Sequence, residues 1–93
     1  MKAILTTVGQ DKAGIVAGVS TYLSHHDINI LDISQTIMNE FFTMMMVVDV
    51  PDNLDFNATT ADLTNLGSQL GVEIQLRNEK VYTAMHELAG GTN

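Results

Sequence analysis

The chain has 93 residues, of which 45% are hydrophobic, and its 4 basic against 11 acidic side chains give a formal net charge of −7 at pH 7. This length predicts one domain with one small core. The acidic balance argues against direct contact with nucleic acid or a membrane surface, and the absence of cysteine excludes disulfides and thiolate chemistry. The apolar start before Thr6 is too short for a signal peptide or a spanning helix, so we expect a complete cytoplasmic protein.

The first predicted strand runs from Lys2 to Val8 and is apolar on both sides, which favours a central place in a sheet. A helix then follows from Ile15, with apolar residues at helical spacing and Asp11 or Gly14 as its cap. The first amides of a helix have no partner within it and lie at the positive end of its dipole, so this junction suits a small anion. The alternative is a plain connection whose glycines only shape the turn.

The next two predicted strands form a hairpin. Residues 31–38 alternate Leu31, Ile33 and Ile37 with polar side chains, so we expect one dry face. A short turn at residues 39–40 leads to a third strand over residues 41–50, which is apolar on one face and half apolar on the other. That second face requires a cover, either a C-terminal helix or a second subunit.

A second helix is predicted after its cap, Asp55, and ends at Gly71. Its apolar stripe depends on packing against the sheet, because its other residues are weak helix formers. Alternation over residues 72–77 predicts a fourth strand, and the spacing of apolar residues over 79–89 predicts a short third helix. The stripe of the second helix consists of Phe56, Leu63, Leu66 and Leu70.

The order β-α-β-β-α-β predicts an α+β, ferredoxin-like sandwich, with a four-stranded antiparallel sheet, two helices on one face and a short C-terminal helix. This fold supports many functions, so the site residues must decide. Copper chaperones of this fold need a cysteine pair, and acylphosphatases need an arginine in the first loop, whereas the arginine here is Arg77. RNA-recognition modules need basic residues around their sheet aromatics, and this chain is acidic.

Residues 9–17 (GQDKAGIVA) resemble the first-loop pattern of ACT domains, Gly-x-Asp-x-x-Gly-Ile/Leu-Val/Leu-Ala. Residues 29–30, 32–36, 42–45 and 84–86 extend the resemblance over nearly the whole chain. Together these runs are similar to the small stand-alone ACT-domain proteins of bacteria, and also to the tandem ACT regulators of the glycine-cleavage-system repressor type. Many family members have proline where Ala13 stands.

The resemblance implies an ACT domain over residues 1–78 with a C-terminal extension over 79–93. It also implies a regulatory, allosteric role in which an amino acid or related metabolite binds at a homodimer interface, near the first loop and the start of the second strand, without cofactor or metal. Each candidate has a structural alternative: Asp11 as a helix cap, Asn29 as a turn residue, Asp32 at a solvated strand edge and Lys12 as plain surface. The ligand-binding candidates are Gly9, Asp11, Lys12, Ala13, Gly14, Ile15, Asn29 and Asp32.

Two functional classes follow from these observations. The first is a non-catalytic module that binds a small molecule as a homodimer or higher homo-oligomer. The second is a protein interaction module that regulates a partner without a bound metabolite. An enzyme is not supported, because the chain has no nucleophile elbow, no His-Glu-x-x-His helix and no phosphate-binding Gly-Lys-Thr run.

Overall fold

The computed structural model describes residues 1–80, and most of the helix predicted over 79–89 lies outside them. The predicted order of elements is confirmed. Two helices and four strands follow each other as β1 (Lys2–Gln10), α1 (Ile15–His25), β2 (Asn29–Met38), β3 (Phe41–Asp49), α2 (Phe56–Leu70) and β4 (Val72–Asn78).

The four strands form one sheet in the order β2-β3-β1-β4, in which all neighbours are antiparallel. The central position predicted for β1 is therefore confirmed. Its side chains Ala3, Leu5 and Thr7 are completely buried beneath the helices. Within residues 1–80, the two outer strands, β2 and β4, each have one free edge, which pairs with no other strand.

The core lies between one face of the sheet and the two helices. Alternate residues of β3 point into it, because successive side chains of a strand point to opposite faces, and Met44, Met46 and Val48 are fully buried. Helix α1 contributes Ile15, Val19 and Leu23, and α2 contributes Leu63. Each of these large side chains stabilises the fold by about 1.5–3 kcal/mol through its burial.

The ends of α2 are formed as the sequence predicts. The Asp55 carboxylate accepts a hydrogen bond from the Ala58 N–H at 3.0 Å, which satisfies one of the open amides of the first turn. At the other end, the N–H of Gly71 donates to the carbonyl of Gly67. Both ends of this helix are therefore closed by its own flanking residues.

The dry face predicted for the second strand is wrong. The strand begins at Asn29 rather than Leu31, and its register with β3 shifts between Ile30 and Asp32. Leu31, Ile33 and Ile37 are 46%, 45% and 53% exposed. The reason is that β2 is an outer strand against which α1 packs only loosely, so its apolar residues lie at the margin of the core. The other outer strand, β4, is covered by α2, and its Ile74 and Leu76 are buried.

Candidate functional site

The loop between β1 and α1 leaves the N-terminus of α1 open. Gly14 is the N-cap residue, in the left-handed region at φ 93°, and no side-chain capping hydrogen bond is formed among residues 1–80. Of the two predicted caps, Asp11 and Gly14, the N-cap position is taken by Gly14, which has only its backbone to offer. The first turn also has no acidic residue, so the positive end of the α1 dipole faces the surface without a negative partner.

Open space adjoins this end of the helix at Gly14. A Cβ atom built there would have no other atom within 4 Å, and residues 11–14 are exposed. Gly9 has a different role, because a Cβ atom there would lie 2.7 Å from Cγ1 and 2.9 Å from Cα of Val72. Gly9 therefore permits the close approach of β1 and β4, whereas Gly14 provides a left-handed turn next to room for a ligand.

Two contacts hold the loop in place. The Asp11 N–H donates to the carbonyl of Glu40, in the hairpin turn, at 2.7 Å. The Lys12 ammonium lies by Gly71, where a Cβ atom would be 3.7 Å from its Nζ. That position is the C-terminal end of α2, where a positive charge complements the helix dipole, so Lys12 is directed toward α2.

Within one chain, Asn29 and Asp32 lie far from this loop. Asn29 pairs with Asp49, which in turn pairs with Lys2, at the end of the sheet opposite Gln10. The length of α1, about 16 Å, separates the two ends. The Asp32 carboxylate accepts a hydrogen bond from the N–H of Ile33 at 2.9 Å. The structure thus brings together Gly9, Asp11, Lys12, Ala13, Gly14 and Ile15, and it leaves Asn29 and Asp32 at the other end.

A polar cluster joins α1 to α2 and has no signal in the sequence. The Tyr22 hydroxyl donates to the Asp62 carboxylate at 2.9 Å, and the Tyr22 ring stacks on His26 with centroids 4.0 Å apart. Partial burial, followed by the bond to Asp62, raises the pKa of Tyr22 to about 12. Tyr22 and Asp62 are 40 positions apart, so no local pattern in the sequence indicates this contact.

A groove of about 470 Å³ lies between α2 and the free edge of β4, and it too has no signal in the sequence. Its helix wall consists of Thr60, Thr64 and Ser68.

In the described part of the chain, residues 1–80, no group of three acidic, histidine or cysteine side chains is placed to hold a metal ion. Over the same residues, no helix is long and apolar enough to cross a membrane.

Comparison with known proteins places these features in a family. The sequence profile of the ACT domain matches residues 2–77, which include both helices and all four strands except Asn78, the last residue of β4. A UPF0237 protein of Bifidobacterium longum is similar to this chain, with 50% identity over 88 residues that cover 94% of this chain and 98% of the relative.

Solved structures agree with this result. An ACT domain protein from Streptococcus pneumoniae has a TM-score of 0.80 at 44% identity, covering 88% of this chain and 93% of that one. A putative glycine cleavage system transcriptional repressor has a TM-score of 0.69 at 25% identity, over 82% of this chain and 44% of that chain. The similarity thus includes both a small ACT protein of comparable length and a part of a longer regulator.

Proposed function

Because the chain belongs to the ACT domain family, a family of regulatory domains that generally bind small molecules and often dimerise, we propose that it is a non-catalytic, cytoplasmic module that binds an amino acid or a related metabolite as a homodimer. The observation that carries this proposal is the difference between its two helices. Helix α2 is closed by the Asp55 carboxylate, whereas α1 begins at an uncapped glycine beside open space.

The carboxylate of the ligand would bind at the start of α1. The backbone N–H groups around residues 13–15 can donate to it, and the helix dipole stabilises its charge. Asp11 is exposed at the edge of this loop and can accept the α-ammonium. Lys12 would position the loop rather than bind, since its ammonium lies at the end of α2.

The remaining candidates, Asn29 and Asp32, can reach this ligand only from a second copy, because α1 separates them from the loop of their own chain. A two-fold axis beside α1 and β2 would align the two copies in opposite directions. It would place Asn29 of each copy near the loop of the other, where its amide can bind either charged group. The exposed β2 side chains Leu31, Ile33 and Ile37 would be buried by such a pairing.

The proposal is tested by calorimetric titration of the standard amino acids. We expect at least one to bind, with Asn29→Ala weakening it by about tenfold through the loss of a hydrogen bond to a charged group. Asn65→Ala, which removes the same side chain from an exposed position of α2 outside the proposed site, should leave binding unchanged. No binding of any amino acid would contradict the proposal.

Mixed dimers test whether the site is shared between copies. In a mixture of Asn29→Ala and Asp11→Ala chains, each mixed dimer has one site with both changes and one site with neither. A population of sites with the affinity of the unchanged protein should therefore reappear on mixing. If each site lay within one chain, mixing would restore nothing.

The second candidate function is protein interaction without a metabolite. It is favoured by the sheet face that points away from the helices, where Val8, Phe41 and Met38 are 49%, 60% and 66% exposed. Introducing a charge on this face, for example by Val8→Glu, distinguishes the two functions. It should abolish partner binding in the interaction module and leave amino-acid binding intact in the ligand sensor.

A further inference from the structure

The two outer strands of the sheet differ in how their free edges are protected. An unprotected edge exposes backbone N–H and C=O groups that can pair with another strand. On β2, the register with β3 shifts between Ile30 and Asp32, and the Asp32 carboxylate accepts a hydrogen bond from the N–H of Ile33. On β4, the register with β1 runs without a shift from Val72 to Asn78. The regular free edge therefore belongs to β4.

The residues of β4 are complementary to those of a second copy of β4 that runs antiparallel to it. Gln75 is the middle residue of Val72–Asn78, so an antiparallel pair centred on it leaves no residue of the strand unmatched. Glu73 then lies opposite Arg77 of the second copy, on both sides of the axis. On the other face, Ile74 lies opposite Leu76 of the second copy. Opposite charges and apolar side chains are favourable cross-strand pairs.

The charged side chains of β4 are already arranged along one face of the strand. Glu73, Gln75 and Arg77 share the face away from the helices, and their register partners on β1 are Val8, Thr6 and Ile4. The Gln75 amide donates to Glu73 at 2.9 Å, and the Arg77 guanidinium donates to the Gln75 carbonyl oxygen. Glu73 and Arg77 thus lie on one face of the strand, two residues to either side of Gln75, where a second copy would meet them.

The groove beside β4 has room for the second helix. Its helix wall consists of short side chains, and the hydroxyls of Thr64 and Ser68 donate to the carbonyls of residues 60 and 64 at 3.0 and 3.2 Å. These donors require no partner outside the helix. The same two-fold axis would bring the α2 of a second copy alongside, antiparallel, over a groove of about 470 Å³ in each chain.

We propose that β4 pairs antiparallel with β4 of a second copy about a two-fold axis at Gln75, which continues the sheet from one copy into the next. A second copy fits this edge because Glu73 and Arg77 complement each other only through that symmetry. The interface is independent of ligand binding, since β2 lies at the opposite edge. Together, the two pairings would join dimers into larger even-numbered assemblies. One strand and one helix form a small interface, so the association should depend on concentration.

Disulfide trapping tests the pairing directly, because the chain has no cysteine of its own. A cysteine at position 75 would face its own copy across the axis, at a Cα separation of about 4.5–5.5 Å that permits a disulfide. We expect Gln75→Cys to form crosslinked dimers faster than Asn53→Cys, an exposed control outside β4 and α2. Equal rates for the two variants would overturn the proposal.

Charge exchange tests the register. Within the Gln75→Cys chain, Arg77→Glu or Glu73→Arg alone should slow crosslinking by about tenfold, because each places like charges opposite one another. The double exchange should restore it, and so should mixing the two single variants. Both side chains are exposed, so folding should be retained, as circular dichroism would verify. If neither the double exchange nor the mixture restores the crosslinking rate, the pairing proposal is overturned. That result would leave the proposal of amino-acid binding unaffected.

Discussion

The hydroxyl of Thr7 gives the sharpest test of the packing described above. Thr7 lies in the middle of the central strand and is completely buried, opposite Met44 on one side and Ile74 on the other. Among the described residues, its Oγ1 has no hydrogen-bond partner. A buried donor without a partner costs about 1–3 kcal/mol, since it has lost its bonds to water.

Replacing Thr7 with valine removes this cost and keeps the shape of the side chain. Valine also has a high preference for strands and leaves no cavity here. We therefore expect Thr7→Val to raise the free energy of unfolding by about 1–3 kcal/mol. For a domain of this length, each kcal/mol corresponds to an increase in Tm of about 4–8 °C.

Urea unfolding followed by circular dichroism measures this change, at one fixed protein concentration because self-association adds to stability. Thr59→Val is the matched control. Thr59 is also buried, but its hydroxyl donates to the carbonyl of Asp55 at 2.9 Å. This control should lose about 1 kcal/mol of stability. A loss of stability in Thr7→Val, or an equal change in both variants, would refute the reasoning.

Three further predictions concern the packing of Leu63, the cap of α2 and the pKa of Tyr22. Leu63→Ala leaves a cavity in a fully buried site and should lower the free energy of unfolding by about 2–5 kcal/mol in the same urea assay. Asp55→Ala removes the cap of α2 and should cost about 1 kcal/mol, so an unchanged midpoint would contradict the capping role. Replacing Tyr82 with phenylalanine leaves Tyr22 as the remaining tyrosine, and its ultraviolet titration should give a pKa of about 12. Because this pKa is raised above the usual 10.0, the associated stability is present below pH 10 and is lost as the pH rises through 12. Asp62→Asn should move the titration toward 10, and an unshifted curve would exclude the hydrogen bond as a cause.

Local patterns predicted most of the elements. The alternation of β3 predicted one apolar face, and Met44 and Met46 of that face are buried, because a strand that covers a core must place every second side chain into it. The ends of α2 were predicted at Asp55 and Gly71, because a helix needs acceptors for its first amides and a turn that ends its last ones. Each of these features depends on residues close together in the chain.

Apart from the central position of β1, features that depend on strand order were not predicted. The alternation of β2 resembles that of a half-buried strand, yet Ile33 and Ile37 are exposed because neither helix packs closely over this outer strand. The burial of Thr7 and Thr59 was also missed, because both are polar side chains whose burial is decided by the elements packed over them. Similarly, the bond from Tyr22 to Asp62 joins two helices whose proximity follows only from the fold.

For the candidate site, the sequence by itself determined the chemistry: an acidic chain whose first loop resembles that of ACT domains and leads into a helix. The tertiary structure decided the geometry. It left the α1 amides uncapped beside Gly14, turned Lys12 toward α2 and set Asn29 at the far end of the sheet. The physical reason is that side-chain chemistry and helix-end signals are local, whereas the distance between a loop and a strand depends on how every intervening element packs.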